Sequence, residues 1–381
     1  MIWDLVVVGA GPAGAATALG ALAAEPGLSV LLLDRHDFPR DKACGDGIAP
    51  QVFDLLASVG VTGLVDDRTP VRRLSLRRGS LGVDRLMARP AYVVPRTVFD
   101  ERLVEAAQAA GAVLLKQRVG RVEVQPASVL VDELEARMVV GADGAYSLVR
   151  GALGVEAGPV ALALRGYAPT PVDRAGQQVI VFGTARQPSY AWSFDRGDGW
   201  SNVGYGEQLR VGQERPTRAG LLRELDELLP QASVGGTDWR GHHLPLATWS
   251  WRPGPGRVML VGDAAGLINP MTGEGIYYAI ATGMLAGKAA AEAVRRGSGD
   301  AGTEYRRAVG AMLGRHLRDT AFAARLTRSG TVLDAGIRAS AADQGVFDNL
   351  VEIGLAEGVL RAGSLRRIAR QLLGASRSRG S

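Results

Sequence analysis

The chain has 381 residues, 46% apolar and 22% charged, enough to bury one large core or two smaller ones in an ordinary globular protein. Its single cysteine, Cys44, excludes an internal disulfide and a cysteine-held zinc or iron–sulfur centre, and it fits a reducing cytoplasm. The net charge of +5 is concentrated at the end, where Arg361, Arg366, Arg367, Arg370, Arg377 and Arg379 stand without an acid or an aromatic among them; the remainder is close to neutral, and the aromatic interleaving of a nucleic-acid surface is missing.

The opening "MIWDLVVVGAGPAG" has no basic leader, and its one short valine-rich run stops at glycine. It reads as a buried parallel strand over 2–8, not as a signal peptide or a membrane span. Residues 13–24 are small and apolar with helical length, and 28–33 form a second buried run, which completes a βαβ unit. Gly9, Gly11 and Gly14 form G-x-G-x-x-G at the strand-to-helix turn, around Pro12 and Ala13. The first two glycines let the backbone turn and approach a pyrophosphate, the third lets helix and strand pack closely, and the helix N-terminus supplies oriented N–H groups. Asp34, followed by Arg35, ends the second strand where an acid holds an unphosphorylated ribose, so the nucleotide is FAD or NAD, not NADP.

Further along, residues 99–110 have the spacing of an amphipathic helix, and 137–140 read as a strand ending in "GADG", with Asp143. From 159 to 245 alternating segments separated by turn residues predict antiparallel strands. Residues 258–261 read as a third strand ending in Gly262-Asp263, and after about Gly297 the pattern is helical. The expected class is α/β: a Rossmann-type FAD-binding domain with a parallel sheet, an inserted, mostly antiparallel substrate domain, and a helical C-terminal region. Residues 1–158 and 246–296 form the first domain, with an excursion near 70–94; residues 159–245 form the insertion and 297–381 the helical region.

Two acid-bearing strand ends far from the fingerprint suit a cofactor longer than a nicotinamide dinucleotide, one with a ribityl chain and a flavin. At "GADGAYSLVR" and "VGDAAGLINPMTGEGI" the chain resembles the class A flavoprotein oxidoreductases of the para-hydroxybenzoate hydroxylase type over most of residues 1–290. The resemblance implies that Asp263 bonds the ribityl-pyrophosphate part of FAD and that Pro270 and Gly273 to Gly275 let the backbone lie against the isoalloxazine. It also implies that the helix from about Gly275, beginning with Ile276, aims its positive end at flavin N1 and O2, where reduced flavin carries charge.

Within that class, "DFPRDKACGDGIAP", "VVPRTVFDERLVEAA" and "YAWSFDRGDGWSNVGYG" resemble the geranylgeranyl reductase family. The family implies reduction of isoprenoid double bonds by reduced FAD, with hydride leaving flavin N5, and relatives of this pattern act on quinone tails and other natural products. It implies that Arg96 contacts the cofactor, against the plain reading of an exposed arginine on a helix start. Cys44 and Gly45 would line the flavin pocket, although Cys44 also reads as a small buried hydrophobe. Tyr190, Trp192 and Phe194 share one strand face, which either gives a hydrocarbon slot over the flavin or is sheet core. Cys44 and Tyr190 are the candidates for a proton source; no side chain is assigned as the acid. One departure stands out: the family's aromatic strand continues with proline, and here the residue is Asp195.

The flavin halogenase signature is missing, since "TWSWRPGP" matches it only in Trp249-Ser-Trp251. There is no second glycine fingerprint, so NAD(P)H or another reductant would visit transiently, and no evident flavinylation motif, so FAD would be non-covalent. His242 and His243 are neighbours whose side chains would diverge in a strand, and no metal site is expected. Leu365, Ile368, Leu372 and Leu373 stand near helical spacing among the terminal arginines. That pattern suits a helix on anionic lipid or a helix docked by its apolar stripe. The leading function is an FAD-dependent reductase of an apolar substrate. A monooxygenase of the same fold and a non-catalytic flavin-binding protein are the alternatives.

Overall fold

In the computed structural model, which describes residues 2–183, 187–210, 212 and 214–377, two sheets contribute to the lining of one long cavity. The first sheet runs in the order Val113–Lys116, Val30–Asp34, Ile2–Val8, Leu134–Gly141, Val129–Val131, Val122–Val124. Val258–Leu260 adds in parallel along the end of Leu134–Gly141. Val30–Asp34 is buried at every position, as a parallel strand covered on both faces must be. Side chains alternate between two apolar clusters: Leu5, Val7 and Leu32 face one set of helices, and Val6, Leu31 and Leu33 the other side. The registers Val8 to Leu33, Val8 to Gly141 and Leu260 to Gly141 bring the carboxyl ends of the parallel strands level. The ligand crevice of an open α/β sheet lies at such ends.

Helices Pro12–Ala24 and Ile276–Arg295 pack backbone to backbone across this sheet. A β-carbon on Gly283 would stand 2.3 Å from the Ala13 carbonyl oxygen, and one on Gly287 would stand 2.1 Å from that of Thr17. The slimness of both helices is therefore a packing requirement, and both begin at residues that line the cavity, Gly11 and Gly275.

The second sheet has the order Thr237–Pro245, Val160–Pro169, Trp200–Gln208, Ser189–Asp195, Gln177–Phe182, Val71–Arg78, Leu81–Val93, Gly47–Ile48. Its pairs are antiparallel except Gln177–Phe182 with Val71–Arg78. The stretch read as strands throughout 159–245 also contains a helix, Arg218–Leu228. Leucines at helical spacing override the alternation there: Leu221 and Leu225 are buried against Val179, Val181, Ala191 and Tyr205 on the outer sheet face. Thr217 caps the helix by accepting from the Gly220 N–H at 3.1 Å.

Helices Gly302–Leu326, Gly330–Ala342, Gln344–Leu355 and Ala362–Arg377 follow. Ile337 and Phe347 pack against Leu74 and Met87 of the second sheet. Arg379 and the Arg377 side chain lie outside the described residues. No described helix is long and apolar enough to cross a membrane.

Candidate functional site

The cavity, about 760 Å³, starts at the carboxyl ends of the first sheet and reaches the C-terminal helices. The three fingerprint glycines serve different needs at its start. Gly9 has φ +100, and a β-carbon there would lie 2.3 Å from the Ala142 carbonyl oxygen; one on Gly14 would lie 1.8 Å from the carbonyl of Gly9. At Gly11 a β-carbon would meet only the ends of two arginine side chains, Arg40 at 2.9 Å and Arg96 at 4.0 Å. Gly11 is thus the position whose missing side chain leaves room in the cavity, at a helix start with no side-chain cap. Asp34 is buried behind it, accepting from the Ala10 N–H at 3.0 Å and the His36 N–H at 3.0 Å. Pro12, Ala13 and Arg35 line the same end.

Two guanidinium groups converge here. Arg96, at the start of helix Arg96–Ala109, is buried and donates to both oxygens of Asp100 at 2.6 and 2.7 Å. Burial disfavours its charge, but Asp100 keeps it firmly protonated. Arg40 reaches the same Asp100 at 3.4 Å and Asp34 at 3.5 Å, and its buried Nε has no partner among the described residues. An orphaned cationic donor over a bare glycine is a site for an anion such as a pyrophosphate.

The loop from Asp41 to Gly47 is pinned to the second sheet by Arg165, whose side chain is fully buried. Arg165 donates to the Asp41 carboxylate at 2.7 Å, to the Lys42 carbonyl at 2.9 Å and to the Cys44 carbonyl at 3.2 Å. Asp46 follows with φ +58. Its Oδ2 accepts from the Tyr167 hydroxyl at 2.6 Å and from Asn202 Nδ2 at 2.8 Å, while its buried Oδ1 has no partner among the described residues. Burial pushes this carboxyl up to about 6, against the pull of Arg165 and the two hydrogen bonds. Burial likewise raises the Cys44 thiol, which keeps its proton; Cys44 and Gly45 line the cavity.

The second strand end behaves differently from the third. Asp143 accepts from the Ser147 hydroxyl and from the Leu148 and Val149 N–H groups, so its carboxylate caps helix Leu148–Ala152. Asp263, after Gly262 in its left-handed turn, is ion-paired with Lys42 at 2.6 Å. Burial would raise its pKa, but Lys42 holds it below the usual carboxylate range. Pro270, Gly273, Gly275 and Ile276 line the cavity beyond it. A β-carbon on Gly273, where φ is +74, would sit 3.2 Å from the Tyr190 hydroxyl. Gly275 gives helix Ile276–Arg295 no side-chain cap, and Glu274 Oε1 accepts from the Tyr277 N–H at 3.0 Å instead. Burial pushes Glu274 up to about 7; its partial contact with solvent moderates that effect.

Tyr190, Trp192 and Phe194 line the cavity as one face of strand Ser189–Asp195. Trp192 is also buried, lying over Gly204 with its indole N–H donating to Asn202 Oδ1 at 2.8 Å. Wall and core are the same residue here. Tyr190 donates to the Thr272 carbonyl, and burial raises its pKa. Asp195 accepts from the Gly176 and Gly197 N–H groups at 2.6 and 2.9 Å and builds a turn outside the lining. The Tyr146 ring lies edge-on to both His242 and His243.

Arg40, Lys42, Asp46, Arg165, Asn202 and Glu274 are absent from the residues singled out by sequence. Lys42 and Asp46 stand inside the quoted "DKACGDG", Asn202 inside the quoted "YAWSFDRGDGWSNVGYG", and Arg165 is a polar interruption in an otherwise small or apolar strand, the signals that could have marked them. A nucleotide crevice with a single edge has no use for a second strand end, a second helix start and an aromatic sheet face along the same cavity. The fold and the cavity together define a class A FAD-dependent oxidoreductase.

Comparison with known proteins agrees. A family model described as an FAD binding domain matches residues 3–311. The chain is 34% identical over 337 residues to Menaquinone reductase of Mycolicibacterium smegmatis, covering 74% of this chain and 75% of that protein. It is 31% identical over 319 residues to Digeranylgeranylglycerophospholipid reductase 2 of Methanothermobacter thermautotrophicus, covering 79% and 80%. The crystal structure of a geranylgeranyl bacteriochlorophyll reductase-like protein from Thermoplasma acidophilum shares the fold, with a TM-score of 0.77 at 22% identity over 97% and 96% of the two chains. The chain belongs to the FAD binding domain family and, within it, to the geranylgeranyl reductase family.

Proposed function

We propose that this chain is a reductase that saturates a carbon–carbon double bond in an isoprenoid or comparable apolar substrate. The observation that carries this reading is the second arm of the cavity. Past Tyr190 and Trp192 it runs between Leu74, Leu76 and Ile180 of the second sheet and Ala323, Leu333 and Ile337 of the C-terminal helices. A slot of this composition holds a hydrocarbon by burying apolar surface, at about 25 cal/mol per Å². Relatives named for menaquinone and for digeranylgeranylglycerophospholipid support a substrate with an isoprenoid chain.

Gly9, Gly11, Gly14, Asp34 and Arg35 would hold the AMP half of a non-covalent FAD, Arg40 and Arg96 its pyrophosphate, and the loop from Asp263 to Gly275 its flavin half. When bound and reduced, FAD supplies a hydride equivalent, replenished by NAD(P)H or another transient reductant. The chain's own task is to keep the double bond in a dry slot with a proton at hand, because an apolar double bond accepts hydride poorly unless a proton arrives as charge develops. Cys44 and Tyr190 line the slot, and burial keeps both protonated.

The test is anaerobic. Photoreduced holoenzyme is mixed with a panel of unsaturated isoprenoids, each quinone presented as its quinol so that the ring cannot take the electrons. Oxidised-flavin absorbance should return with loss of one double bond per flavin. Enzyme that stays reduced with every isoprenoid, yet turns one over in air, would overturn the reading.

A further inference from the structure

The far end of the apolar arm is not closed. Leu326, at the end of helix Gly302–Leu326, and Leu365, in the first turn of helix Ala362–Arg377, both line the cavity, and yet each is 38% exposed. A residue that is lining and surface at once marks a mouth. The two helices are held together at this edge, since Asp319 accepts from the Leu360 N–H at 2.9 Å. Phe322, one turn before Leu326 and 52% exposed, extends the apolar rim without lining the cavity.

The two segments that form the rim carry charge of one sign. No acid occurs from Thr320 to Leu333 or from Gly358 to Ser381. Arg325, Arg366 and Arg370 are exposed, and among the described residues none has an ion-pair or hydrogen-bond partner through its side chain. Arg361 and Arg367 are instead tied to Glu352 and Asp343 at 3.0 and 2.9 Å, which fixes the helix against its neighbours. Exposed apolar side chains ringed by unpaired arginines match an anionic lipid surface, where the hydrocarbon enters the acyl boundary and each cation meets a headgroup.

We propose that this mouth is the face on which the protein sits on an anionic bilayer, and that the hydrocarbon of its substrate passes from the membrane into the cavity between Leu326 and Leu365. The docking half rests on the surface alone; the passage half rests on the function proposed above. Docking is an equilibrium set by a few side chains at the rim, and it is reversible and sensitive to salt.

Holoenzyme is floated with vesicles of phosphatidylglycerol and phosphatidylcholine, or of phosphatidylcholine alone, with no substrate present. The protein should partition onto the anionic vesicles and leave them at high salt. Arg366→Glu with Arg370→Glu should weaken partitioning by at least about 30-fold, since each arginine near an anionic surface contributes about a five-fold factor. Phe322→Glu should weaken it as well. Arg295→Glu with Arg307→Glu, the same change in net charge near the other end of helix Gly302–Leu326, should leave it within about two-fold of wild type. No preference for anionic vesicles, or equal losses from both arginine pairs, overturns the docking face and leaves the reductase reading untouched. For the passage, the Arg366/Arg370 variant should reduce a detergent-dispersed isoprenoid at the wild-type rate and a vesicle-embedded one more slowly in proportion to lost binding. Equal rates in both formats overturn the passage, and flavin content with an unchanged melting temperature confirms that the variant is folded.

Discussion

Asp46 holds a buried carboxyl group on a left-handed backbone, with one oxygen bonded to Tyr167 and Asn202 and the other to nothing among the described residues. Its folded pKa of about 6 stands above the unfolded value, near 4 for aspartate, so between those values the folded state binds more protons. Stability must then fall as pH rises through that window, with the full cost, at most about 3 kcal/mol, present above it. Apoprotein melting curves from pH 4 to 7 should show the wild type losing stability relative to Asp46→Asn; parallel curves would show that the carboxyl group is not held this way. Gly11 and Gly14 make a second contrast. Gly11→Val meets only the side-chain ends of Arg40 and Arg96, so the protein should fold but purify colourless, whereas Gly14→Val strikes a carbonyl oxygen and should fail to fold. Full flavin occupancy in folded Gly11→Val would remove the phosphate cradle from the account.

At the scale of elements, the contact between helices Pro12–Ala24 and Ile276–Arg295 sets where two helix N-termini stand, one bare at Gly11 and one capped by the Glu274 carboxylate. Gly287→Ala would push a methyl group into the Thr17 carbonyl and force the helices apart, an overpacking cost of about 1–3 kcal/mol. It should lower both melting temperature and FAD affinity; a change in stability with unaltered affinity would mean that the helix starts do not depend on this contact. Trp192→Ala removes a buried ring and leaves Asn202 Oδ1 without its donor, so a loss of about 3–5 kcal/mol is expected in a denaturant melt. A near-wild-type midpoint would make Trp192 only a cavity wall. Much of this layer is legible in sequence, because a buried parallel strand ending in glycine, and a run of small apolar residues of helical length, are local patterns. Helix Arg218–Leu228 is harder to see, since its leucines stand between segments that alternate. The clamp of Arg165 on Asp41 and the ion pair of Lys42 with Asp263 have no local signature at all. Their partners are joined only when the second sheet closes over the first, and nothing in either segment specifies the other.

For the whole molecule, one cavity links a crevice lined by Arg40, Lys42 and Arg96 at the end of a parallel sheet to an apolar arm under the C-terminal helices. The crevice was readable from the glycine fingerprint and Asp34, and the aromatic face from its period of two. The length of the arm was not, because it is bounded by segments as distant as Leu74, Ile180 and Ile337 that no sequence window contains together. The account's central claim is that this joint space adds two hydrogens to an apolar double bond and has no need of oxygen. The direct test is mass spectrometry of the product from a single anaerobic turnover of chemically reduced holoenzyme with an unsaturated isoprenoid. The account predicts a product heavier than substrate by the mass of two hydrogens; a product that forms only in air and is heavier by one oxygen would contradict it.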